Sequence, residues 1–258
     1  MSRVFITGSA DGLGLLAAQL LLQQGHQVVL HARNEARAQA TQAGAPGAAG
    51  VAVGDLATLA GMRQAATQAN ALGPFDAVIH NAGVGFQEAD RGTTADGLPL
   101  VFAVNSLAPY VLTCLIERPR RLVYLSSGLQ REGQPSLRDL TWAERPWSGY
   151  QAYCDSKLHD IWLAFAVARR WPQVLSNAVT PGWVATRMGG PGAPDSLEEG
   201  PKTQAWLATS DDPAARVSGQ FFYHQRVQQP QPAALDAALQ DGFLAECERL
   251  SGVALPAA

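Results

Sequence analysis

Short apolar runs and longer stretches of helical periodicity alternate along most of the chain. The run VFITG (4–8) is rich in β-branched and aromatic residues and ends in glycine. It leads into LGLLAAQLLLQQG (13–25), where leucine and alanine recur at helical spacing until Gly25 closes the segment. The alternation continues with a strand at 27–33, a helix at 35–44, a strand at 50–56, a helix at 56–71 and a strand at 75–83 that runs into a turn. A long apolar helix is predicted within 93–116, with Pro99 near its start. Pro109 is expected to kink or interrupt it, because proline donates no N–H and crowds the preceding turn. A buried strand at 121–127, a polar connection bearing tryptophans, a helix at 153–171, a strand entering a loop at 174–186, a short helix at 203–210 and a last strand at 219–224 complete the order. The strands are near-continuous apolar runs rather than alternating ones. That pattern predicts an α/β chain with a parallel sheet covered by helices on both faces. No repeat, linker or break in composition divides it, so residues 1–258 are expected to form a single domain.

Composition narrows the classes. Of 258 residues, 47% are hydrophobic and 16% charged, which fits a well-buried globular chain rather than a disordered one. The net charge of -3 and the lack of a basic run speak against a nucleic-acid partner. Cys114, Cys154 and Cys247 are scattered, which suggests neither a zinc site nor a disulfide framework and predicts a reduced, cytoplasmic protein. No segment reaches the ~18 apolar residues of a membrane helix, so no membrane association is expected. His26, His31, His159 and His224 have no metal-ligand spacing with other ligating residues, and no metal is expected.

Two local patterns carry chemistry. TGSADGLG (7–14) lies between the first strand and the first helix. Gly8, Gly12 and Gly14 allow a tight turn and close backbone approach to a pyrophosphate at the helix N-terminus. Arg33 ends the second strand, where an acidic residue commonly bonds the ribose 2′-hydroxyl of NAD(H). An arginine suits a 2′-phosphate, so NADP(H) is expected over NAD(H). In YCDSK (153–157), Tyr153 and Lys157 stand four residues apart and share one helix face. That spacing is common by chance and decides nothing alone.

In their order and positions these pieces resemble the short-chain dehydrogenase/reductase family, in its compact single-domain branch. The stretch LRDLTWAERPWSGYQAYCDSKL is similar to the subgroup that includes retinol dehydrogenases and protochlorophyllide reductases. The resemblance implies a Rossmann-type doubly wound parallel sheet in a three-layer αβα sandwich. It implies a cofactor loop containing Gly8, Ser9, Gly12, Leu13 and Gly14, an adenine contact at Asp55 and Leu56, and a cofactor wall from Asn81, Ala82 and Gly83. Pro181, Gly182, Val184 and Thr186 would border the nicotinamide. Asn105, Ser127, Tyr153 and Lys157 would form the catalytic set, Tyr153 and Lys157 also touching the cofactor. Two departures stand out: no basic residue at Ala10 or Asp11, and His80 directly before NAG, to which no role is assigned.

The resemblance implies oxidation or reduction of a small carbonyl or alcohol. Lys157 would favour the ionised phenol and hold the nicotinamide ribose, Ser127 would bond the substrate oxygen, and Asn105 would hold a water linking Lys157 to solvent. A nucleotide-sensing module without chemistry, or enone reduction or epimerisation on the same scaffold, are the competing classes. Trp142, Trp147 and Trp183 either border an apolar pocket or pack their loops. Residues 187–200 form either a lid or an ordered surface loop, and their glycines and prolines exclude a long helix. Cys154 is expected to be a small helix residue. The long helices at 98–116 and 153–171 suggest a homodimer or homotetramer, with the run 161–168 serving as core or as interface.

Overall fold

The computed structural model describes residues 1–85 and 90–258. Eight strands form one sheet in the order β3-β2-β1-β4-β5-β6-β7-β8. They are β1 Arg3–Ile6, β2 Gln27–Ala32, β3 Gly50–Val53, β4 Ala77–His80, β5 Arg121–Leu125, β6 Leu175–Thr180, β7 Phe221–Tyr223 and β8 Arg226–Gln228. Every pairing is parallel except β7 with β8, a hairpin that ends the sheet. The helices are α1 Gly12–Gln23, α2 Glu35–Gly44, α3 Leu59–Leu72, α4 Leu100–Phe102, α5 Ala108–Leu115, α6 Gly149–Arg170, α7 Lys202–Thr209 and α8 Ala237–Ser251. A three-layer αβα Rossmann sandwich results.

The continuous apolar strands are explained by their two covered faces. In β1, Phe5 enters one core with Met62, Leu107, Trp162 and Phe243, while Val4 and Ile6 enter the other with Ala17, Leu21, Leu207 and Phe222. Local chemistry sets the helix ends. Asn34, Thr58, Ser148 and Asp236 each accept a backbone N–H of the first turn they cap. The cap at Ser148 starts α6 four residues before the predicted boundary at 153.

The α-helical ladder is interrupted just before Pro109, as predicted, without the helix ending there. The ladder widens into a π turn at Ala103–Leu107, and Pro109 sits in the first turn of α5, where its missing N–H has little cost. That turn holds Asn105.

The chain continues past the last predicted strand into β8 and α8. Leu239, Phe243, Leu244, Cys247 and Leu250 recur at helical spacing, and Gly252 closes α8 at φ 66°. α8 lies against α6: Phe243 stacks on His159 at 4.9 Å and lies 6.0 Å from Trp162. Ala152–Val167 are all buried within the chain, so the run 161–168 is core rather than interface. Among the described residues no helix is long and apolar enough to cross a membrane.

The α8 seam gives a stability prediction. Phe243→Ala removes a fully buried ring from it and is expected to lower unfolding free energy by about 3–5 kcal/mol in denaturant titration. A loss below about 1 kcal/mol would mean that α8 is not part of the core.

Candidate active site

The strand order reverses at β1, which pairs with β2 on one side and β4 on the other. Chains leaving the carboxyl ends of β1 and β4 turn apart there and open a crevice. It has a volume of about 750 Å³, with Gly8, Gly12, Arg33, Asp55, Gly83 and Lys157 among its lining residues. A second cleft of about 560 Å³ adjoins it, walled by Leu129, Trp183, Met188, Phe221 and Tyr223. Tyr153 lines both.

The glycine turn is held by contacts that exclude side chains. Gly8 has φ 62°, and a Cβ there would lie 2.7 Å from Ala82 Cα. A Cβ on Gly14 would lie 2.4 Å from both Gly8 O and Asn81 Nδ2, so Gly14 serves packing and is not on the cleft wall. Asn81 Nδ2 donates to Thr7 O at 3.0 Å and to Gly8 O at 3.1 Å, tying the end of β4 to the turn after β1. His31 Nδ1 accepts Gly8 N–H at 3.1 Å while Nε2 donates to Gly54 O at 2.9 Å, a tautomer assigned from these partners. Ser9 departs from its expected place. It is fully buried, donates to Ile6 O at 2.9 Å and accepts His31 N–H at 2.8 Å, so its hydroxyl braces the turn from behind.

Around Tyr153 the side chains converge. Lys157 Nζ donates to Leu125 O and to Asp160 Oδ2, both at 2.8 Å, and lies 5.6 Å from the Tyr153 ring centre. The two adjacent serines are distinguished by their bonds. Both line the second cleft with Tyr153, but Ser126 Oγ donates to Lys157 O at 2.6 Å, whereas Ser127 Oγ accepts Leu129 N–H at 3.2 Å in capping the 3-10 turn Gly128–Glu132. Asn105 Oδ1 accepts Val84 N–H at 2.8 Å, and its Nδ2 donates to Val84 O and Ser156 Oγ at 3.1 Å. Its amide thus anchors the cleft wall at Val84 and ties it to α6 through Ser156.

Leu13, Asp55, Leu56, Asn81, Ala82, Gly83, Pro181 and Thr186 line the first cleft, whereas Gly182 and Val184 line the second. Trp183 borders that second cleft. Trp142 and Trp147 instead pack edge to face at 5.2 Å in the connection before α6, with Arg145 stacked over Trp142. Segment 187–200 has turns but no helix, and Asp195 ties it down by accepting Trp183 N–H and Tyr223 O–H. Two residues join the site that its motifs do not name. Arg37, four after Arg33, lines the cleft and pairs with Asp11 at 3.2 Å. Asp160, three after Lys157, shares the helix face of the lysine; both spacings are visible in the sequence.

A short chain dehydrogenase family model matches residues 2–121. The chain is similar to the short-chain dehydrogenase chyC of Penicillium rubens, at 42% identity over 100% of both chains. It is similar to retinol dehydrogenase 14 of Mus musculus at 31% identity, covering 92% of this chain and 81% of that one. A crystal structure of a protein from Mycobacterium paratuberculosis superposes with a TM-score of 0.84 at 26% identity, covering 99% of this chain and 95% of that one.

Buried histidines support the site from beneath. His80 stacks on Tyr124 at 4.7 Å, and its Nε2 meets Thr113 Oγ1 at 3.1 Å. Burial lowers its pKa to about 3, lowers that of His159 to about 4, and lowers that of His31 against the pull of Gly54 O and Asp55. Unfolded, each imidazole takes a proton near pH ~6.5, so the unfolded chain binds more protons and stability falls as pH drops below that value. Asp160 acts in the opposite sense. Burial raises its carboxyl to about 6, against the pull of Lys157, so the folded state takes that proton first and offsets about one histidine. Unfolding free energy is therefore expected to be lower at pH ~5 than at pH ~7.5, with a slope of up to about 1.4 kcal/mol per pH unit for each uncompensated histidine. Equal stability at the two pH values would contradict this.

Proposed function

The chain belongs to the short-chain dehydrogenase family of oxidoreductases, whose members bind nicotinamide cofactors, and from that premise we propose that it interconverts a carbonyl and an alcohol using NADP(H), with Tyr153 as general acid and base. The observation that carries this reading is the placement of Tyr153 where the two clefts meet, with a buried ammonium beside it.

The first cleft fits a dinucleotide. The first turn of α1 has no side-chain cap, which leaves its N–H groups for a phosphate, and the close approach of Gly8 to Ala82 keeps the turn bare. Arg33 and Arg37 on the same wall suit a 2′-phosphate, and Arg33 follows the last residue of β2, the place where a carboxylate would favour NAD(H). Asp55 and Leu56 lie where the adenine end is expected.

A bound nicotinamide supplies or accepts the hydride. The chain must then move a proton at the substrate oxygen. Tyr153 O–H is the donor toward the carbonyl and, in the reverse direction, the acceptor from the alcohol. Burial opposes the charge of Lys157, but the Asp160 carboxylate and, when ionised, the Tyr153 phenolate raise its pKa. Of its three N–H bonds, one goes to Leu125 O and one to Asp160, leaving the third for the cleft and the cofactor ribose. Ser127 donates to the substrate oxygen and stabilises the charge that develops there. The apolar walls of the second cleft hold the remainder of the substrate.

Tyr153→Phe should still bind NADPH, followed by cofactor fluorescence. It should consume NADPH about 10²–10⁴-fold more slowly than the parent across a panel of aldehydes and ketones. Near-parental turnover would remove Tyr153 from the mechanism. Arg33→Ala should weaken NADPH about tenfold, the loss of one charge-assisted bond, and leave NADH affinity nearly unchanged. Equal losses for the two cofactors would contradict the 2′-phosphate assignment.

A further inference from the structure

Asp160 stands one turn beyond Lys157 on α6 and takes one of the three bonds of its ammonium, at 2.8 Å. The two side chains are 3% and 6% exposed, so the pair is almost fully buried, with Lys157 at the edge of the first cleft. Such a pair is a poor device for stability, because removing two charges from water costs several kcal/mol and apolar replacements of equal volume often serve as well. A carboxylate so near an ammonium also cancels much of the field that the ammonium exerts on groups further away. The proton chemistry above needs the charge of Lys157, and a partner that screens that charge changes what Tyr153 experiences.

We propose that Asp160 is a positioning residue for the Tyr153–Lys157 pair: it fixes the ammonium between its own carboxylate and Leu125 O, and its charge sets the pH at which Tyr153 exchanges its proton. The inference rests on the reading under "Proposed function". The geometry supports the first half, since two of three N–H bonds have fixed acceptors on different elements, α6 and the end of β5. The surroundings support the second. Lys157 meets the carboxylate from its own helix, with the Tyr153 ring on the far side, 5.6 Å from Nζ. From β5 the Tyr124 phenol lies in its field, held protonated mainly by burial. Behind Tyr124, α5 contributes the uncharged Thr113, bonded to Tyr124 O–H at 2.8 Å, and β4 contributes His80, held neutral by burial. Lys157 is the cation of this group. Burial raises the Asp160 carboxyl above the ordinary carboxylate range against the pull of Lys157, so its counter-charge is lost at less acid pH than that of an exposed aspartate.

Asp160→Asn tests this, because the amide keeps the size and the acceptor for Nζ but removes the charge. Tyrosinate absorbance is titrated in the parent and in Asp160→Asn, and the curve of a matching Tyr153→Phe protein is subtracted from each. Tyr153 should ionise about one pH unit lower in Asp160→Asn than in the parent, because an anion that opposed its ionisation is gone. A midpoint that is unmoved, or moved upward, in a folded variant overturns the proposal. A merely structural aspartate would leave that midpoint where it is.

If Asp160→Asn does not fold, the parent protein decides alone. The chain has two lysines, Lys157 and Lys202, so nitrogen-15 lysine labelling gives two side-chain signals, assigned with Lys202→Arg. The Lys157 signal should move in an acid titration as Asp160, held 2.8 Å from Nζ, takes its proton. A signal flat through that titration overturns the coupling. Failure of the underlying functional reading shows separately, as a protein that takes up no NADPH, and the lysine titration then still judges the Lys157–Asp160 pair.

Discussion

Everything at the site is placed relative to one buried ammonium. Lys157 reaches from α6 to the carbonyl of Leu125 at the end of β5, and Ser126 on the same strand exit returns a bond to the carbonyl of Lys157. The two bonds run in opposite directions between one strand end and one helix turn. Either would be costly to leave unmade in a dry interior, so together they fix the height and rotation of α6 against the sheet. Tyr153, one turn earlier on the same helix face, inherits that position. The ring therefore stands at the junction of the two clefts because the lysine is pinned, and the aspartate one turn later completes the pinning.

The opposite wall depends on a different constraint, the near contact of two backbones. The turn after β1 and the turn after β4 approach so closely that Gly8, Gly14 and Ala82 leave no room for larger groups, and Asn81 stitches them together. Thr7 helps from beneath, its hydroxyl accepting the N–H groups of Asn81 and Ala82 at 3.0 Å. The same geometry that opens a crevice at the switch in strand order thus closes its floor. The first turn of α1, which no side chain caps, follows that bare glycine turn, and its free N–H groups suit a phosphate.

Much of this was legible in the sequence because it depends on local pattern. Apolar strands, helices and the glycine turn between β1 and α1 follow from periodicity, whereas Ser127, Tyr153 and Lys157 were singled out by the resemblance of their motifs, the last two lying inside α6. What was not legible depends on tertiary detail. A π turn adds a single residue to a helix and leaves its apolar pattern almost unchanged, so the widening that lets the chain pass Pro109 has no sequence signature. Ser9 shares its motif with cofactor-facing neighbours, yet its hydroxyl is used by Ile6 and by His31, a residue from the next strand. α8 lies beyond the last predicted strand, although Asp236 and Gly252 bracket a plain helical pattern. Its packing on α6 turns an apolar run that looked available for subunit contact into core. Asp160 shows its spacing to Lys157 in the sequence, but its burial and its 2.8 Å bond emerge only when α6 meets β5.

The central claim is that a pinned lysine holds Tyr153 at the meeting point of a dinucleotide cleft and an apolar cleft. A crystal structure of the protein with NADP⁺ tests it most directly. The account predicts the nicotinamide ribose within hydrogen-bond distance of Lys157 Nζ and the Tyr153 hydroxyl, the adenosine phosphate beside Arg33, and Ser127 open to the second cleft. A dinucleotide bound elsewhere, or a Tyr153 hydroxyl turned away from the ribose with Lys157 still on Leu125 O, would contradict it.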